Sequence, residues 1–118
     1  MRPMNSDSQG GRIVRAMVMT WPGYAGGPDE FGNDFHTARN RMGDTLKPRG
    51  LRTVGRRRKG HPWWEYRFAD EVIYREAALL VRSWDTGEDI EMLRAADRRR
   101  TAADGDGSRG LQTSLQMG

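Results

Sequence analysis

Apolar positions in the first third of the chain recur at a helical spacing. From Arg12 onward Ile13, Val14, Met17, Val18 and Trp21 fall at i, i+1, i+4, i+5 and i+8, one face of a helix, and Pro22 with Gly23 stops it. Residues 23–28 are too rich in Gly and Pro for helix or strand and predict a connector. The following Asp29-Glu30-Phe31-Gly32 has room for one helical turn. Asn33 or Asp34 can cap a second helix, in which Phe35, Ala38, Met42 and Leu46 share one narrow face. Its opposite arc carries His36, Thr37, Asn40, Arg41 and Asp44. Gly43 weakens this helix by about 1 kcal/mol, and Pro48 with Gly50 ends it.

The period then changes from helix to strand. Trp64, Tyr66 and Phe68 alternate with Trp63, Glu65 and Arg67, and Lys59-Gly60-His61-Pro62 supplies a turn, so residues 51–68 predict an antiparallel β-hairpin with a basic first strand and tip. Beyond it Asp70 can cap a helix whose face is Ile73, Ala77, Leu80 and Trp84, flanked by Val72 and Val81, up to the break at Asp85-Thr86-Gly87. Thr86 with Asp89 resembles a capping box. It opens a last helix with Ile90, Leu93 and Ala96 inward and Arg98-Arg99-Arg100 near an end that suits cations. Met17, Met19 and Met42 read as core filling. The polar, Gly-containing residues 1–11 predict a disordered arm and residues 101–118 a disordered tail, leaving a small α+β domain over residues 12–100.

Composition narrows the chemistry. A chain of 118 residues is the size of one small domain, and no run of ~18 apolar residues or apolar leader points to a membrane or to secretion. A cytoplasmic location is the expectation. The absence of Cys removes disulfides, thiolate nucleophiles and Cys-ligated zinc, and only His36 and His61 offer imidazole. No Gly-x-x-x-x-Gly-Lys-Ser/Thr loop occurs, so no cofactor is implied. Glu65, Asp70 and Glu71 are conceivable as a metal-binding carboxylate set, but helix capping accounts for Asp70 more simply. No enzymatic activity is expected.

The net charge of +4 hides a segregation. Residues 36–60 hold nine cations against Asp44 alone, whereas residues 69–97 hold eight acids against three Arg. Eighteen of the 20 basic residues are Arg, a bias that a GC-rich genome writes into any protein, but such a bias would spread Arg evenly. Consecutive cations on one hairpin repel each other and favour a polyanionic partner.

The run Phe35-His36-Thr37-Ala38-Arg39-Asn40-Arg41-Met42 through Leu46, the step Pro48-Arg49-Gly50-Leu51, and the basic hairpin with Arg56-Arg57-Arg58-Lys59-Gly60 and Trp64-Glu65-Tyr66-Arg67-Phe68 resemble the recognition helix and wing of winged helix-turn-helix DNA-binding domains. The resemblance covers residues 34–68 and implies a winged-helix-like fold that binds double-stranded DNA, in the role of a transcriptional regulator. His36, Thr37, Asn40 and Arg41 would face base edges, for which Asn and Arg suit adenine and guanine. Arg56, Arg57, Arg58 and Lys59 would reach phosphates or a narrow minor groove.

The aromatic row Trp64, Tyr66 and Phe68 reads first as core, with stacking on unpaired bases as the alternative. Trp63 falls on the opposite face, where it could meet nucleic acid or protein. The apolar residues Leu79, Leu80, Val81, Trp84, Ile90, Met92 and Leu93 suit either the domain's own core or a homodimer. A reading of a different class is a small adaptor or inhibitor of the phage-derived kind, binding a host protein through its acidic C-terminal helices.

Overall fold

Ser8 starts the first helix, three residues ahead of the predicted boundary. Its hydroxyl oxygen accepts from the Gly11 N–H at 2.9 Å and caps α1 (Gln9–Thr20), while the Asn5 side chain accepts from the N–H groups of Asp7 and Ser8. The computed structural model describes residues 4–114. Within them the predicted arm is therefore a capped turn and the start of a helix, and its residues 1–3 lie outside the described residues. An Asn-x-x-Ser spacing carries that signal, which the Gly-rich composition masks. Ile13, Val14 and Met17 are buried along α1, whereas Met19, expected in the core, is 78% exposed.

The connector after α1 does more than link. Ala25 exchanges both backbone hydrogen bonds with Tyr66, at 2.8 and 2.7 Å, so this segment lies along one edge of the later hairpin. The expected single turn follows as α2 (Gly27–Phe31), with Pro28 and two acids in its first turn and Phe31 buried.

The second predicted helix is not one helix. Residues 32–49 form a 3₁₀ turn (Gly32–His36), a single α turn, α3 (Ala38–Arg41), a π turn (Met42–Leu46) and a closing 3₁₀ turn (Lys47–Arg49). Ala38, Met42 and Leu46 are buried as expected, but they are spaced by four, and in an α-helix of 3.6 residues per turn each step of four drifts by about 40°. Widening to a π turn brings Met42 and Leu46 back into line.

The hairpin forms as predicted. Antiparallel β1 (Thr53–Arg57) and β2 (Trp64–Phe68) pair from Thr53 opposite Phe68 to Arg57 opposite Trp64. Tyr66 and Phe68 are buried, but Trp64 is 41% exposed and Glu65 is buried, reversing the expected in–out order at that end.

Asp70 caps α4 (Glu71–Thr86) by accepting from the Ile73 N–H at 2.9 Å. Ile73, Ala77 and Val81 are buried on α4, with Leu80 and Trp84 packed against the same cluster, while Val72 is exposed. That cluster runs from Ile13 to Val81 and lies wholly in the compact unit Met1–Gly87.

The second unit, Glu88–Gly118, contains α5 (Ile90–Ser114). Asp89 caps it, accepting from the N–H groups of Glu91 and Met92, and the Thr86 hydroxyl also donates back to the Arg82 carbonyl. The helical backbone continues past Arg100, so Arg98, Arg99 and Arg100 lie within α5 rather than at its end. Residues 115–118 of the predicted tail lie outside the described residues. Among the described residues no helix is long and apolar enough to cross a membrane.

Candidate nucleic-acid interface

The hairpin register decides which cations are available. Arg56 stands opposite Glu65, and its Nε donates to the buried carboxylate at 3.1 Å, while Arg58 Nη1 reaches the second oxygen at 3.9 Å. One acid thus serves two of the four consecutive cations of residues 56–59. Arg56 also lies over the Tyr24 ring at 4.0 Å, and Arg67, next along that face, lies over Tyr24 at 5.0 Å and Trp21 at 5.7 Å. These guanidiniums are packed as much as they are charged.

Arg57 and Lys59 differ. Both are exposed, and neither meets an acid among the described residues. The turn is held by a hydrogen bond from the His61 N–H to the Arg58 carbonyl at 3.1 Å, with Gly60 in the left-handed region, so the cations project from a folded tip.

The helical part of the predicted site separates in the same way. His36 and Asn40 are exposed. The Thr37 hydroxyl donates to the Asp34 carbonyl at 3.0 Å, and Arg41 donates from Nη2 to Gln9 on α1, with its Nε buried and without a partner among the described residues. Arg41 therefore braces α3 against α1 and is not presented to solvent as expected. A contact between residues 32 apart leaves no local trace in the sequence.

Arg39 joins the site without having been singled out, beside aromatic residues for which base stacking was the alternative to a place in the core. Arg39 is exposed with its guanidinium 5.8 Å from the Trp64 ring. Phe35, Trp63, Trp64 and Tyr66 surround a cavity of about 280 Å³ with Arg39 and His36 at its rim. Burial pushes the Tyr66 phenol above its usual range, with the Arg39 charge opposing that shift, so the phenol is neutral at ordinary pH. Arg39 was findable in principle, because a hairpin folding back beside residues 35–39 brings Trp64 to it.

The carboxylate set conceivable from sequence is dispersed. Asp70 is occupied as a cap and Glu65 by Arg56, and among the described residues no three His, Asp or Glu side chains are grouped to hold a metal ion. Comparisons of the chain with protein-family models, with curated proteins and with solved structures give no match.

Proposed function

We propose that this chain is a double-stranded DNA-binding domain acting as a regulator, which grips the phosphate backbone through the hairpin tip. The observation that carries this reading is the exposure of Arg57 and Lys59 at the end of a paired hairpin, with no acid beside them among the described residues. Adjacent like charges in that position raise the local potential and are relieved by a polyanion. Arg58, exposed and only loosely held by Glu65, adds a third contact, and Arg56 is largely committed to Glu65 and Tyr24. With α3 reduced to one turn, base reading rests on Asn40 and His36 rather than on a long helix.

Two to four phosphate contacts give a log–log slope of binding against salt of about −2 to −4, or roughly a 10- to 150-fold loss between 50 and 200 mM salt. Mobility shifts of a random duplex at those two salt levels test this, and the double change Arg57→Ala and Lys59→Ala should flatten the slope by about 2. Asn40→Ala should weaken a selected site more than random DNA, by about 1 to 3 kcal/mol. Absence of duplex binding at the lower salt would reject the reading in favour of the adaptor with acidic helices.

A further inference from the structure

The aromatic cavity beside the tip of the hairpin is spent on nothing in the fold. Trp64 keeps 41% of its surface exposed, although a chain this short gains most by burying its largest side chains. Trp63 is fixed from behind: Gly27 has φ +76°, and a Cβ there would lie 2.6 Å from the Trp63 ring, so α2 backs directly onto the indole. In front, Trp63 meets Phe35 edge-on at 5.6 Å and His61 of the tip at 5.3 Å. The buried Tyr66 is a further wall. Two indoles, a phenyl ring and a guanidinium thus line one cleft that adjoins the cationic tip through Pro62.

Arg39 stands loosely over Trp64, at 5.8 Å against 4.0 Å for the close pair of Arg56 on Tyr24. A cation at that distance can cover a flat ring laid on the indole. The cleft is at the small end of the range of ligand sites, roughly 300 Å³ upward, and fits one planar group rather than a side-chain cluster of a protein partner. Positive charge on the rim and tip selects an anionic bearer for that group.

We infer that this cleft receives one unpaired base of the DNA whose phosphates the hairpin tip holds, by stacking on Trp64 under Arg39. The inference rests on the DNA-binding reading above and narrows its substrate to duplex containing an extrahelical base. Stacking of a base on an aromatic side chain corresponds to an affinity gain of about 5- to 150-fold.

The test compares the full chain on a continuous 20-bp duplex, with length of about two helical turns, and on the same duplex carrying one extra unpaired thymine. The expected result is tighter binding to the second by about 5- to 150-fold, a preference, read as the ratio of the two affinities within each variant, that Trp64→Leu removes and Trp64→Phe largely keeps. A second measurement needs no variant: 2-aminopurine in the unpaired position should lose fluorescence on binding as it stacks on indole. Equal binding of both duplexes, or brightening of the 2-aminopurine, overturns this inference and leaves the DNA-binding reading standing. A preference that survives Trp64→Leu overturns it too, because a bulge also makes the duplex easier to bend. Failure to bind either duplex at 50 mM salt overturns both readings.

Discussion

Glu65 is the residue on which the charge of the hairpin turns. A carboxylate with its side chain 10% exposed holds Arg56 and Arg58, both more than half exposed, so its removal strands no buried cation. Glu65→Gln should leave stability within about 1 kcal/mol, tighten binding to random duplex and steepen the salt slope by about 1 to 2 as the two guanidiniums turn to phosphates; an unchanged slope would show that Tyr24 and the strand hold them regardless. Asp34 poses the opposite case. It is 2% exposed, its Oδ2 has no hydrogen-bond partner among the described residues, and Arg12 approaches only to 3.6 Å. Removing that guanidinium leaves a buried charge alone, so Arg12→Ala should cost about 1 to 2 kcal/mol, between the values of an exposed and a buried pair. In an Asp34→Asn background the same change should cost almost nothing, and urea unfolding of the four chains measures the coupling. Of these two carboxylates, Glu65 was legible once the hairpin was, since counting back from the turn sets it opposite Arg56. The burial of Asp34 was not, because as a cap candidate it reads as an exposed helix start.

At the scale of elements, the hairpin and α4 were readable because each repeats one period without interruption and is bounded by its own turn or cap chemistry, Gly60 with Pro62 and Asp70. Residues 32–49 were not, because an apolar spacing of four suits an α turn and a wider π turn alike and only packing against α1 decides which turn width wins. The glycines on either side of that packing should respond with opposite sign. Gly→Ala inside a helix ordinarily gains roughly 0.5 to 1 kcal/mol, and Gly43, with nothing within 4 Å of a new Cβ, should show that gain. At Gly11 a Cβ would lie 1.7 Å from the Asn5 carbonyl oxygen, so Gly11→Ala should instead break the turn that starts α1 and lower the thermal midpoint. Acid should loosen the junction of α1 with α4. Arg15 donates to both oxygens of Asp85, at 2.7 and 3.1 Å, and this hydrogen bonding holds the Asp85 carboxyl below its usual range. A depressed carboxyl contributes stability that is present above its unfolded pKa of about 3.9 and disappears as pH falls through the lower folded value. Asp85→Asn should therefore be less stable than the parent at about pH 7 and converge with it at about pH 2, and parallel urea curves would check this.

Across the whole molecule, the buried cluster and the cationic tip both belong to the unit Met1–Gly87. Residues 88–118 carry six acids and five Arg, so they scarcely alter the total charge. A chain ended after Gly87 should unfold cooperatively and bind duplex with the salt slope of the full protein; loss of the transition would show that α5 completes the core, and retention of folding with loss of duplex would move the binding surface into the second unit. The segregation of charge was visible in the sequence, but its division between the two units was not, since the acids of residues 69–97 straddle the boundary and several of them serve α4. The pairing of Ala25 with Tyr66 has a consequence for self-association. It interrupts the far edge of β2 at its middle residue, whereas among the described residues the outer edge of β1, where Arg56 and Arg57 sit, pairs with no strand. Two molecules approaching edge to edge meet like charge, which keeps a short sheet from growing by adding copies of itself. A polyanion that neutralises those arginines withdraws that protection, so crowding of the protein on DNA near charge balance is the condition in which intermolecular strand pairing and precipitation should begin, and added salt or excess DNA the conditions that reverse it.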